Sequence, residues 1–426
     1  MHVLQDLIAR HKQGTTCGVT SICSAHPIVI EAALRQAQRH DLPFVLFEAT
    51  CNQVNQDGGY TGMTPADFVA FVHGIAAQVG FDPARIVLGG DHLGPNPWTA
   101  LAPDAAMAKA EVMVGAYVAA GFRKIHLDCS MACAGDPEPL AEAEIVRRAV
   151  RLCTAAEAAW QQAGGEAPVY VIGTEVPVPG GATESIEGLA ATTPEAALAT
   201  IEAHRSAFLA AGLDAAWTRV IASVVQPGVE FDHHQVVDYV PAKAEALSAS
   251  IVPVPGMVFE AHSTDYQTRD ALAALVRDHY AILKVGPGLT FALREALWAL
   301  DAIEREWIAA GDRAGLRETA IARMRAEPEY WQRYYHSEGA QLAIDLDYSL
   351  SDRIRYYWPD PAIESARAKL FANLRANPAP ISLISQYLPH ALRALREGQC
   401  ANDPHALAMA HVASVLNDYH FACTTP

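Results

Sequence analysis

The chain has 426 residues, 51% of them hydrophobic and only 19% charged, so it can bury a large core and is not a disordered protein. Its 48 acidic against 31 basic residues give a formal charge of −17, which argues against nucleic acid or an anionic membrane as the main partner and points to small-molecule chemistry. The eight cysteines, Cys17, Cys23, Cys51, Cys129, Cys133, Cys153, Cys400 and Cys423, form no CxxC pair and no framework spacing, so they read as reduced thiols of a cytoplasmic protein.

In chain order, the segment from Met1 to Lys12 is an amphipathic helical start without a signal-peptide apolar block, and no later window reaches the roughly 18 apolar residues of a membrane span. A first strand is predicted from Gly18 to Cys23, with a helix through Val29 to Ala37. A second strand, Phe44 to Phe47, ends at Glu48 and the polar loop Asn52 to Tyr60. Thr64-Pro65-Ala66-Asp67 has the spacing of a capped helix start. The third strand is the most informative: the apolar run Ile86-Val87-Leu88 meets Gly89-Gly90 and then Asp91-His92 before a Gly-Pro breaker. Neighbouring side chains on a strand point to opposite faces, so the double glycine is expected to end the strand and let both act at one site. After a helix from Ala105 to Ala119 come strands at Lys124 to Leu127 (ending at Asp128), Val169 to Gly173 (ending at Thr174-Glu175), Arg219 to Val225, Met257 to Phe259 (ending at Glu260-Ala261-His262-Ser263-Thr264-Asp265) and Ala281 to Val285 (ending at Gly286-Pro287-Gly288).

Eight strands separated by helical segments over residues 1–300 suit a (β/α)8 TIM barrel, an α/β fold in which every parallel pair needs a crossover helix. Ionisable residues at nearly every strand end favour it over a doubly wound open sheet. Residues 301–426 read as a helical extension packed on the barrel, with aromatic clusters at Tyr330-Trp331 and Tyr356-Tyr357-Trp358.

His92, Glu175 and His262 would converge on the axis from the third, fifth and seventh strands. Two imidazoles and a carboxylate suit a catalytic divalent metal, and Asp91 and Asp128 are candidates for acid/base work or for orienting ligands. Glu48 is a further catalytic candidate at the second strand end. Asn52, Gln53 and Asn55 are expected to orient substrate hydroxyls, joined by Ser263, Asp265 and Lys284. Gly286 and Gly288 form a plausible anion cradle opening a helix, to which Arg353 and Arg355 could add guanidinium contacts to a phosphate. His233-His234 reads as an exposed helix start. No GxxxxGK[ST] loop of a phosphoryl-transferring enzyme is present.

Five stretches, Phe47 to Gln56, Gly89 to Asn96, Gly173 to Gly181, Glu260 to Gln267 and Ser349 to Trp358, together resemble the GatZ/KbaZ family over nearly the whole chain. That family includes non-catalytic or stabilising subunits of class II D-tagatose-1,6-bisphosphate aldolase, a class often given the name tagatose-6-phosphate kinase. Other members act alone as D-tagatose 6-phosphate 4-epimerases giving D-fructose 6-phosphate. The resemblance implies a barrel, a phosphorylated ketohexose as substrate, a homo-oligomer, and either autonomous epimerase activity or a class II aldolase catalytic subunit as partner. Through the more distant catalytic class II aldolases it implies Asp91 as proton-transfer group and His92 and His262 as metal ligands, with Glu175 where those enzymes have a histidine. Zn²⁺ is then the first expectation for the cofactor, with Mn²⁺ or Mg²⁺ as alternatives.

Overall fold

The computed structural model describes residues 2–173 and 189–424. Eight parallel strands close into a barrel: β1 (Val19–Cys23), β2 (Val45–Thr50), β3 (Ile86–Leu93), β4 (Lys124–Leu127), β5 (Val169–Ile172), β6 (Val220–Val225), β9 (Val258–Ala261) and β10 (Tyr280–Val285). A two-stranded hairpin, β7 (Glu230–Phe231) and β8 (Val236–Val237), interrupts the series after β6. Each barrel strand pairs in parallel with its neighbours, and β1 meets β10, so the open-sheet alternative is excluded.

Alternation along the strands sorts the core into two layers. On β2, Val45, Phe47 and Ala49 pack outward among the helices, while Leu46 packs inside with Val19, Val171, Val258 and Ile282. Leu4, Leu7 and Ile8 of the helix Val3–Lys12 join that inner layer, so the first helix closes the amino-terminal mouth of the barrel. Further along, the interior becomes ionic: Glu48 of β2, Lys124 of β4 and Glu260 of β9 are completely buried.

The double glycine does something other than end a strand. β3 continues to Leu93, and a Cβ on Gly89 would sit 2.8 Å from Cγ of Glu48, so glycine there makes room for that carboxylate. The break comes two residues later, where the ladder to β4 shifts between Gly90 and Leu93 and His92 takes φ 48°. This left-handed residue costs on the order of 1–3 kcal/mol and lets Asp91 and His92 serve one site.

The Thr64–Asp67 capping box opens the helix Pro65–Val79 as expected. Beyond the helix Pro287–Trp307 the chain is helical, and its last helix, Pro404–Thr424, returns to lie against Pro27–Arg39, Arg269–Arg277 and Pro287–Trp307. It is tied to the barrel by Tyr419, whose hydroxyl donates to the Thr264 carbonyl at 2.8 Å. His233 and His234 are in the turn of the β7–β8 hairpin rather than at a helix start, with His233 Nε2 bonded to the Tyr334 carbonyl at 2.9 Å. Among the described residues no helix is long and apolar enough to cross a membrane, and all eight cysteines are free thiols.

Candidate active site

Three imidazoles meet at the carboxyl end of the barrel. The ring centroids of His92, His126 and His262 lie 5.1, 4.9 and 5.2 Å apart, and one ligand atom from each, with one from Asp91, falls within 4.8 Å of the others. Every ring has one nitrogen anchored. His92 Nδ1–H donates to Asp128 Oδ2 at 2.7 Å, His262 Nε2–H to Glu260 Oε1 at 2.9 Å, and His126 Nε2–H to the Gly173 carbonyl at 3.1 Å. That leaves His92 Nε2 and His262 Nδ1 free, the arrangement by which outer carboxylates orient imidazole ligands, while His126 Nδ1 accepts from the His92 backbone N–H at 3.2 Å.

Beneath the histidines runs a chain of charges. Lys124 Nζ bridges Glu48 Oε1 at 2.6 Å and Glu260 Oε2 at 2.8 Å, and Lys284 Nζ bridges Glu48 Oε2 and Asp91 Oδ2, both at 2.7 Å. Burial alone would make Asp91, Asp128 and Glu260 harder to ionise. The neighbouring imidazoles and ammonium groups outweigh it and hold all three carboxyls well below the usual carboxylate range. Burial likewise opposes the charge on Lys124 and Lys284, yet their carboxylates raise both. His262 is pushed down to about 4, chiefly by burial, and so stands as neutral imidazole.

These residues fit a divalent cation by charge and by donor geometry. Four carboxylates, Glu48, Asp91, Asp128 and Glu260, face two ammonium groups, leaving the neighbourhood two positive charges short. With its Nε2–H committed to Gly173, His126 Nδ1 carries a lone pair that accepts the His92 backbone N–H at 3.2 Å and lies 3.1 Å from Asp91 Oδ1, a contact between two acceptors that a cation or proton relieves. Burial opposes a proton on His92, but Asp91 and Asp128 raise its basicity; the field that favours a proton there favours a metal cation equally. Nitrogen and oxygen donors together do not select one metal.

The site residues read from the sequence fall into distinct places. Asp128 accepts from His92 Nδ1 and from the Ser130 hydroxyl, both at 2.7 Å, and is not among the residues that line the cavity. Glu48 is likewise tied up between two lysines below the cavity. Glu175 lies outside the described residues. Asn52, Gln53, His262, Ser263, Asp265, Lys284, Gly286 and Arg355 line a cavity of about 350 Å³ above the cluster. Asn55 does not: its Nδ2 donates to the Cys51 carbonyl at 2.9 Å and its Oδ1 accepts from Asp57 and Gly59, so it shapes its own loop. Arg353 is also turned away, stacked 3.3 Å from the ring centre of Tyr334 and bonded to the Tyr330 carbonyl. The expected anion cradle already holds a carboxylate, since the Gly286 and Gly288 N–H groups donate to Asp265 Oδ1 at 2.9 and 2.7 Å.

His126, Lys124 and Glu260 were not singled out from the sequence. Their signal is an inverted alternation: in Lys124-Ile125-His126-Leu127 the apolar residues pack outward among the helices and the polar ones fill the barrel.

The model of the family described as D-tagatose-1,6-bisphosphate aldolase subunit GatZ/KbaZ-like matches residues 4–424. The chain belongs to the GatZ/KbaZ-like family. A crystal structure described as a probable tagatose 6 phosphate kinase from Sinorhizobium meliloti 1021 is 52% identical, with a TM-score of 0.88 over 95% of this chain and 100% of that one. Weaker matches are the YdjI aldolase from Escherichia coli K12 (10% identity, TM-score 0.41, 88% and 98% covered) and the fructuronate-tagaturonate epimerase UxaE from Cohnella laeviribosi (13%, 0.49, 95% and 81%). This GatZ/KbaZ-like chain has a barrel whose interior carries ionisable side chains where most barrels pack Val, Ile or Leu.

Proposed function

We propose that this protein is a metal-dependent epimerase that interconverts D-tagatose 6-phosphate and D-fructose 6-phosphate at carbon 4 by retro-aldol cleavage and re-addition. The observation that carries the reading is the His92–His126–His262 cluster with Asp91, joined through His262 to a sugar-sized cavity that His262 and Lys284 line. His92, His126 and His262 would hold the ion, with Asp91 within reach. A divalent ion there would supply Lewis-acid stabilisation of the negative charge that develops on the sugar oxygens during cleavage.

Asp91 is held in its base form and Lys284 in its acid form, 2.7 Å apart. Asp91 is a weak base while Lys284 is bound to it; passing the ammonium to a substrate oxygen restores that basicity. Asp91 then takes the carbon 4 hydroxyl proton, the bond between carbons 3 and 4 breaks, and its electron pair remains on the three-carbon fragment as an enediolate. The aldehyde fragment turns its other face, the bond re-forms, and Asp91 returns the proton, so nothing is oxidised overall. Asn52 and Gln53 face the cavity and suit the sugar hydroxyls. Arg355, with no carboxylate within ion-pair distance among the described residues, suits the phosphate.

A second reading follows from the family description, which names an aldolase subunit: a stabilising partner of a separate class II aldolase chain. The experiment that separates them is incubation of the purified protein alone with D-tagatose 6-phosphate and Zn²⁺, Mn²⁺ or Mg²⁺, following D-fructose 6-phosphate. Metal-dependent product supports the epimerase. No product with any metal, together with a longer-lived aldolase when the two chains are mixed, supports the partner subunit.

A further inference from the structure

The corner of the cavity after β10 resembles a phosphate site, yet it is filled by the protein itself. The helix Pro287–Trp307 starts there, and its first N–H groups are the donors an anion would take. Asp265 takes them instead. Its Oδ1 accepts from Gly286 and Gly288, the carboxylate is only 3% exposed, and a Cβ on Gly288 would come within 3.1 Å of the same oxygen. The carboxylate is covalently tethered, so no ligand phosphate competes with it on equal terms.

The cations of the cavity are unevenly committed. Lys284 is bound to Glu48 and Asp91. Arg355 is held by neutral acceptors, donating through one guanidinium nitrogen to the Ser351 and Asp352 carbonyls and through another to the Tyr356 hydroxyl. The cavity therefore presents one cation for a ligand anion and, at the helix start, the Asp265 carboxyl, whose ionisation burial opposes while the Gly288 and Gly286 N–H groups and Arg355 favour it.

We infer that Asp265 is a specificity-determining residue: it occupies the anion site of the helix, so that the cavity takes a ketohexose with a single phosphate, held by Arg355, and rejects the bisphosphate. The inference rests on the sugar-phosphate reading above and deepens it. A second phosphate would find the backbone donors occupied and a carboxylate in their place, and like charges set together in a desolvated corner are strongly selected against.

The test is calorimetric titration of the full-length, metal-loaded protein with D-fructose 6-phosphate and with D-fructose 1,6-bisphosphate. The wild type is expected to prefer the monophosphate by on the order of 100-fold, the penalty of an unpaired like-charge contact. Asp265→Asn keeps the shape and an acceptor for the two N–H groups but removes the charge, and it should reduce the ratio of the two affinities at least tenfold. Asp265→Gly, which uncovers the donors, should reduce it further. A wild type that binds the monophosphate but discriminates no better than Asp265→Asn overturns the role of Asp265 alone. A wild type that binds neither sugar overturns the sugar-phosphate reading, and this inference with it.

Discussion

Replacing Asp128 with Asn separates a ligand-orienting carboxylate from a catalytic acid/base. In the wild type, Asp128 Oδ1 accepts from the Ser130 backbone N–H at 3.2 Å and hydroxyl at 2.7 Å, while Oδ2 accepts from His92 Nδ1–H at 2.7 Å. Asparagine has one oxygen, and the two Ser130 donors claim it. Its amide N–H then faces His92, whose proton must move from Nδ1 to Nε2, the nitrogen turned toward the other histidines. A metal would have to displace that proton and would also lose a nearby negative charge. Disturbing an outer-shell partner of this kind lowers metal affinity by about 10–100-fold, or roughly 1.4–2.7 kcal/mol. Competition with a chromophoric chelator reads the affinity directly, and turnover at saturating metal is measured alongside. The expected pattern is weakened metal binding with turnover largely recovered by excess metal. Unchanged metal affinity with turnover down about 10²–10⁴-fold at saturation would identify Asp128 as an acid/base and refute the positioning role.

Two further outcomes follow from buried charge. Lys124→Met leaves Glu48 and Glu260 without the ammonium between them and should destabilise the fold by about 3–5 kcal/mol in denaturant titration. Adding Glu260→Gln should recover part of the loss; a double variant whose loss is the full sum of the singles contradicts the coupling. Glu230, 1% exposed with Oε2 unpaired, has its carboxyl raised by burial to about 7. An acid whose folded pKa lies above its unfolded value destabilises the fold as pH rises from the unfolded value, near 4.5, to the folded one, the full cost standing above both. A shift of this size corresponds to about 3 kcal/mol. Glu230→Gln should therefore be more stable than wild type at pH 8 and lose that advantage below about pH 4.5. A constant difference across this range, measured by denaturant midpoints, sinks the assignment.

The barrel was legible because its outward-facing strand residues are apolar and each strand ends in a polar or glycine-rich turn. What the sequence hid lies inside. Lys124, His126 and Glu260 have no pattern that separates them from solvent-facing members of half-buried strands, since alternation alone does not say which face is the interior, and most barrels fill that interior with aliphatic side chains. Gly89 and Gly90 read as a strand terminator, yet Gly89 yields its space to Glu48, a residue 41 positions away that sequence spacing does not connect to it. Gly286 and Gly288 carry the signature of an anion cradle, and an anion is there, but it is Asp265 of the same chain. Arg353 and Arg355, two residues apart, face different surroundings because a short 3-10 turn, Arg353–Tyr356, separates their directions.

The proposed reaction is tested most directly with the purified protein, D-tagatose 6-phosphate and one divalent metal at a time, with D-fructose 6-phosphate measured by a coupled assay before and after chelation and again in His126→Ala. Formation of D-fructose 6-phosphate that stops with chelator, returns with metal and fails in His126→Ala is the predicted result. Equal turnover in the chelated protein or in His126→Ala would contradict a metal held by the three histidines, and no turnover with any metal would contradict the epimerase itself.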